Sequence, residues 1–330
     1  MRHTALVARD HIVPKMLLRR FADARGHLIA RQRSGDPVIP MTFERACREG
    51  GFYDIDIEPA FSQLASRYQI EKALADFEGR ASRLFNRFAN DQLNLSLQDR
   101  FDLMLFVAFQ SVRGWAFRDE ISEVATLVAK MHLEPTLTDE RLRAYLRRKG
   151  RAYDEAAVDA WREELLTSPW KVVPSNSTAV AEMAKLALNV IQPDLFLNRR
   201  VRLLRFEEPT LLLSDEPVAM WVRRDRNHHG NPVGLATADA LYMPVDRRHA
   251  LALLLSGDEK VVDAHSKKAE VINLAVAAGA HRWIFQHPDD PPFDVTKLPP
   301  RPSWGIDGLG VIAEANKIRV QKPIVRQTHR

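Results

Sequence analysis

The sequence predicts an α+β fold, with helices over the first two-thirds packed against a mainly antiparallel sheet formed largely by the second half. Two observations carry this. Between about residues 58 and 191, apolar residues recur at three- and four-residue steps, the spacing of a buried helix face. Beyond residue 200 the chain breaks into short apolar runs bounded by Glu-Pro and Asp-Glu-Pro steps, which is strand punctuation.

The elements follow in order. His11 stands beside the rigid Val13-Pro14 step, and an amphipathic segment with Leu17, Leu18 and Phe21 begins there. Asp23–Gly26 is a turn, His27–Gln32 a strand, and Val38–Met41 a second strand that Pro37 and Pro40 confine to an edge or bulge. From about Glu58 to Ala89, Leu74, Phe77, Ala81, Leu84, Phe85 and Phe88 form one helical stripe. Ser96 is placed to cap the next helix with Asp99 at its third position. That helix, expected to run to about Phe117, is apolar nearly all round from Phe101 to Phe109 apart from Asp102, so most of its surface should be buried. Thr138–Leu166 is a charged helical stretch broken near Gly150, with a basic peak at Arg141–Arg151. Thr178–Ile191 is a further helix, its core face comprising Val180, Met183, Ala184, Ala187, Leu188 and Ile191.

Strands are predicted at Val201–Phe206, Thr210–Leu213, Val218–Val222, Leu241–Val245, Ala250–Leu255 and His281–Gln286, with a helix at Ser266–Gly279. Residues 1–287 form one α+β domain or two interleaved lobes. Six prolines between Pro288 and Pro302 exclude regular structure there, leaving 288–330 as a proline-rich segment and a basic tail.

The composition narrows the function classes. An apolar fraction of 45% and a charged fraction of 28% are ordinary for a globular chain. The formal charge of +5 is too small to establish nucleic-acid binding unless it is clustered. Cys47 is the only cysteine, so no internal disulfide and no thiolate zinc site can form. The N-terminus has no apolar core of a signal peptide and no stretch approaches a bilayer span, so we expect a cytoplasmic protein without a membrane partner. Phosphate-loop, nucleophile-elbow and paired-cysteine signatures are absent, no cofactor is identified, and no metal ligand is assigned.

The residues that can carry chemistry are few. Gln110 and Arg113 lie three apart at the end of a buried helix, and a buried guanidinium must be paired or face a cavity. One reading is a core Arg–carboxylate bridge; the other is an anion clamp with Gln110 reading a polar edge. Ser214-Asp215-Glu216-Pro217 ends a hydrophobic strand. There Asp215 is either a turn-forming residue, or a general base or metal ligand, with Arg113 as a donor to it in the second case. Glu78 borders the first apolar stripe, and Asn273 sits among Val271, Ile272, Leu274 and Ala275, where its amide needs a specific partner. The basic peak carries no interleaved aromatic platform in sequence, so a solvated helical surface is expected of it.

In order, these segments resemble the bacterial domain of unknown function 4238 family. They are H-x-V-P-x-x-x-L-x-x-F at His11–Phe21, Glu78, Q-x-x-R at Gln110–Arg113, S-D-x-P at Ser214–Pro217, Pro244-Val245, Asn273 and Arg282–Phe285. The resemblance spans about residues 10–287. The chain departs from it at Gly114, where a small polar residue followed by proline is frequent, and at Glu216, where asparagine is. It implies a shared fold and polar centre and no established activity. We therefore expect His11, Glu78 and Asp215 as catalytic residues and Gln110, Arg113, Ser214 and Asn273 as substrate-binding ones. The reading is a hydrolase-like enzyme acting on nucleic acid or a phosphorylated small molecule. The alternative is a non-catalytic ligand-binding or regulatory, defence-type module whose polar residues form a sensing or structural network.

Overall fold

A computed structural model describes residues 9–53, 67–190, 198–223, 234–235 and 237–300, together with strands at 303–307, 311–314, 317–320 and 324–328. The chain begins with β1 (Arg9–His11), the one-turn α1 (Lys15–Leu18), β2 (His27–Gln32), β3 (Val38–Thr42) and β4 (Arg48–Gly50). Helices follow: α2 (Arg67–Phe88), α3 (Leu97–Val112), α4 (Trp115–Leu133), α5 (Asp139–Arg148), α6 (Glu155–Thr167) and α7 (Asn176–Val190). Next come β5 (Arg200–Arg205), β6 (Leu213–Ser214), β7 (Ala219–Trp221), β8 (Ala240–Pro244), β9 (His249–Leu254), β10 (Lys260–Asp263), α8 (Ser266–Gly279) and β11 (Trp283–Gln286).

The second half builds a five-stranded sheet in the order β10-β5-β9-β8-β7, antiparallel except for the β10–β5 pair. The N-terminal hairpin does not extend that sheet. It pairs instead with β11, giving a second, fully antiparallel sheet in the order β3-β2-β11-β6. Helix α8 connects the two and packs on β6, β7 and β8. Leu28 and Ala30 of β2, Phe77, Ala81 and Phe85 of α2, Phe106 of α3 and Leu251 of β9 belong to one continuous core.

The predicted cap of α3 is present in both directions. Asp99 N donates to Ser96 Oγ at 3.1 Å and Ser96 N to Asp99 Oδ2 at 3.0 Å. Asp102, the one acid on the apolar face, is buried and takes Arg80 Nε at 3.0 Å. The helix does not reach Phe117. It stops at Val112, and a new helix starts after Gly114 that periodicity does not reveal, because α4 buries only Phe117 and Thr126 and carries almost no apolar stripe. Gly150, at φ +66°, breaks the charged hairpin where expected.

Other differences have equally local causes. Leu188 faces outward, 55% exposed, while Val180, Met183 and Ala187 of α7 are buried. Thr210–Leu212 pairs with no strand, because Asn273 replaces the ladder: its Oδ1 accepts from Leu212 N at 3.1 Å and its Nδ2 donates to Thr210 O at 2.7 Å. The start of the first long helix at Glu58, the end of the α7 stripe at Ile191 and the His228-His229 loop lie outside the described residues.

After β11 the proline-rich stretch has only a 3₁₀ turn at Val295–Lys297, and Phe293, Val295 and Leu298 pack against the core. The segment beyond, read from sequence as a tail, contains β12 (Ser303–Asp307), β13 (Val311–Glu314), β14 (Lys317–Val320) and β15 (Ile324–Thr328). They pair antiparallel as β12–β15 and β13–β14.

Candidate functional site

The structure divides the predicted residues into two clusters. The first is built on Arg113, which caps the C-terminus of α3 and is 4% exposed. Its Nη1 donates to Glu78 Oε1 at 2.6 Å, its Nη2 to the His11 carbonyl at 2.7 Å, and its Nε to Tyr53 Oη at 2.5 Å. One guanidinium thus ties α2, β1 and the segment after β4 to α3. Burial opposes the charge, but Tyr53 and Glu78 outweigh it and raise the Arg113 pKa further above its ordinary value. Of the two readings of Arg113, this geometry is that of the core bridge.

His11 contributes its backbone, not its ring, to that cluster. The ring Nε2 meets the Glu44 carbonyl at 3.0 Å, so Nε2 carries the proton. Burial, assisted by Lys15, Arg48 and Arg113, lowers its pKa from 6.5 to about 4, and the imidazole is neutral at neutral pH. Gln110 is 2% exposed, and neither amide atom has a hydrogen-bond partner among the described residues.

The second cluster lies at the end of β6. Asp215 does not receive a bond from Arg113. Its Oδ1 accepts from His281 N at 2.8 Å, and its Oδ2 from Arg282 N at 2.7 Å and Trp283 N at 2.8 Å. Burial raises the Asp215 pKa, and the three backbone donors only partly offset it. Ser214 Oγ donates to Glu216 O at 2.8 Å, fixing the turn. Ser214 and Asn273 therefore bond backbone in this structure.

Glu216 links the two positions, 114 and 216, at which the chain departs from the pattern it resembles. Its Oε1 accepts from Ala116 N at 3.0 Å, capping α4 from outside the helix. A Cβ on Gly114 would overlap that carboxylate. Glycine at 114 thus leaves room for the Glu216 carboxylate, which caps α4 in place of a side chain at the N-cap itself. Gly114→Ser should cost roughly 1–3 kcal/mol by overpacking, and most of it should be recovered in Gly114→Ser/Glu216→Asn. A double-mutant cycle of urea melts measures that coupling; additive effects would show that the two positions are independent.

Between β4 and the start of β11 lies a cavity of about 540 Å³. Its walls include Arg45, Arg48, Arg282, His281, Trp115 and Asp215. No hydrogen bond or ion pair joins the Arg45 or Arg48 guanidinium to a described residue, and Arg282 lies over the Trp283 ring at 5.0 Å. His281 stacks on Trp115 with centroids 6.3 Å apart, and its Nε2 meets Asp119 Oδ2 at 3.2 Å. Cys47 also lines the cavity, but burial and the Asp215 charge push its thiol up, so it is no thiolate at neutral pH. Of the predicted residues only Asp215 reaches this cavity. Arg45, Arg48, Trp115 and His281 were missed in the sequence. Their one signal was two arginines three apart in Arg45-Ala46-Cys47-Arg48, and Glu44 and Glu49 on either side obscured it. A cavity of about 610 Å³ beside Lys15, Arg19 and Arg20 is a weaker candidate. There Arg20 is bonded to Asn86 Oδ1 at 2.5 Å, Arg19 lies over Phe43, and no predicted residue takes part.

A third polar group is charge-compensated. Asp91 ends α2 at φ +59° and accepts from His249 Nε2 at 3.1 Å and Arg205 Nη1 at 2.9 Å, while His249 Nδ1 meets both Asp246 oxygens at 3.0 Å. Burial lowers the His249 pKa, but the two carboxylates prevail and raise it. His249 therefore stabilises the fold fully below its unfolded pKa, and the contribution is lost as pH rises through the higher folded value. His11 acts in the opposite sense, its contribution being lost as pH falls from 6.5 to about 4. Melting temperature should thus fall on both sides of neutrality. His11→Gln should flatten the acid limb and His249→Gln the alkaline one; unchanged limbs would rule out these two rings as their cause.

The sequence profile of a family described as "Protein of unknown function (DUF4238)" matches residues 9–290 of this chain. No curated protein and no solved structure matches it.

Proposed function

This chain belongs to the DUF4238 family, whose description assigns no activity, and from the cavity itself we propose that it binds a small anionic ligand, a phosphorylated molecule, between β4 and β11. The observation that carries the reading is the unpaired state of Arg45 and Arg48. Several half-buried arginines elsewhere on the chain find carboxylates, as Arg87 takes Asp99 and Arg205 takes Asp91. At the cavity, Arg45 and Arg48 are left with free guanidinium forks, suited to bidentate phosphate recognition. The indoles of Trp115 and Trp283 supply apolar wall for the rest of the ligand.

The test is a thermal-shift titration with pyrophosphate and nucleoside triphosphates. At about 100 times Kd a bound ligand stabilises the fold by roughly 2.7 kcal/mol. Arg45→Ala/Arg48→Ala should remove that shift and leave the unliganded melting temperature near wild type. A wild type that does not respond to any of these anions contradicts the proposal.

One observation favours turnover in the same cavity. Asp119 orients the His281 ring as a carboxylate orients a general base. Hydrolysis of a phosphoester that His281→Asn abolishes would decide for the hydrolase reading. Binding without hydrolysis decides for a ligand-sensing module.

A further inference from the structure

The α5–α6 hairpin has a core of its own, made of Leu142, Leu146 and Val158 and separate from the main one. Its charges are distributed unequally. Toward the start of α5, Asp139 bonds both Arg143 and Arg162, and Arg162 also takes Asp159 at 2.5 Å. At the opposite end, Arg147, Arg148, Lys149 and Arg151 bond no carboxylate among the described residues. Each lies over an aromatic ring instead. Arg147 is 4.8 Å from the Tyr153 centroid, Arg151 4.9 Å from Trp161, and Arg148 and Lys149 are 5.8 and 6.0 Å from Tyr145. Tyr145 and Trp161 stack on each other at 5.9 Å, and Tyr153 is 46% exposed.

Although the basic peak has no aromatic platform in the linear sequence, the turn at Gly150 brings Tyr153 and Trp161 beside it. The C-terminus of α5 accounts for part of the charge, since a helix end carries roughly half a negative charge. It does not account for four cations on three rings. Tyr145 and Trp161 are also held by each other, but the exposed Tyr153 ring is covered by Arg147, a contact that an unstacked base can replace while the displaced guanidinium turns to a phosphate.

We propose that this end of the hairpin binds single-stranded nucleic acid, with Tyr153 as the stacking platform and Arg147, Arg148, Lys149 and Arg151 on the phosphates. The proposal is independent of the ligand in the cavity between β4 and β11. A duplex is disfavoured because its stacked bases offer no free face to Tyr153.

Fluorescence anisotropy of the full chain with oligo(dT) and oligo(U) of about 16 nucleotides, and a duplex of the same length, tests it. Either single strand should bind at low salt, more tightly than the duplex. Changing Arg147, Arg148, Lys149 and Arg151 to glutamine should weaken binding at least tenfold and lower the salt slope by about three, at roughly 0.7 per phosphate contact. Tyr153→Ala removes an exposed ring, leaves the hairpin core intact, and should weaken single-strand binding by roughly 5- to 100-fold while leaving duplex binding unchanged. It keeps the test decisive if the quadruple variant does not fold. Absence of single-strand binding, equal or tighter duplex binding, full affinity in the folded quadruple variant, or retention on anionic lipid vesicles alone would each overturn the proposal.

Discussion

Arg113→Met is expected to lower the stability of the fold by about 3–5 kcal/mol, the cost of breaking a buried pair by removing one partner. The substitution leaves the Glu78 carboxylate, the Tyr53 hydroxyl and the His11 carbonyl without their donor at one stroke. For a chain of 330 residues the loss corresponds to a fall of roughly 4–7 °C in melting temperature. Arg113→Lys keeps the charge but not the fork, and a single ammonium cannot reach three acceptors fixed on three elements, so it should recover less than half of the loss. The partner is less exacting. Glu78 is 22% exposed, so Glu78→Gln leaves the guanidinium a neutral acceptor and should cost about 1–2 kcal/mol. Arg113→Met/Glu78→Met should be more stable than Arg113→Met alone, because an apolar pair avoids the orphaned charge. Urea denaturation of the four variants measures the series. An Arg113→Met protein with wild-type stability that no longer responds to pyrophosphate would return Arg113 to the role of anion clamp.

That arginine shows where the sequence is informative and where it is not. Its burial follows from the run Phe101–Phe109, which leaves a helix no solvent face. Its partners do not follow, because Glu78 and Tyr53 lie 35 and 60 residues away and only the packing of α2 on α3 and the approach of the segment after β4 bring them in. Elements with a strong local signature were legible to the residue: the Ser96/Asp99 box, the β2 strand and the Ser266–Gly279 helix. Elements with little apolar contrast, α4 and the four-residue β10, were not. The N-terminal hairpin lies in a sheet apart from the five-stranded one because its pairing with β11 is a contact across some 250 residues that alternation cannot specify. The cavity was the least legible of all. Arg45 lies in the turn before β4 and Arg48 begins that strand, in a sequence that differs little from a solvated surface, and what marks them is that neither guanidinium bonds a carboxylate among the described residues.

Asp215→Ala should be nearly as costly as the loss of Arg113, for a reason that involves no side-chain partner. The carboxylate collects the N–H groups of His281, Arg282 and Trp283, the residues through which the chain enters β11. Removing it leaves three donors without an acceptor, at about 1–3 kcal/mol for each that stays buried. Because Asp215 also borders the cavity, water can reach some of them, and a net loss of about 3–5 kcal/mol is expected. Asp215→Asn should fall between, since its amide keeps one oxygen for the donors and turns an NH₂ toward the others. The two variants also separate structure from chemistry. A carboxylate with both oxygens committed to backbone is a poor base, so loss of anion binding in Asp215→Ala should track loss of folded protein. Restoring stability, by low temperature or a stabilising osmolyte, should then restore binding. A folded Asp215→Asn protein that binds pyrophosphate normally yet loses a measured hydrolysis would identify Asp215 as acting on the substrate.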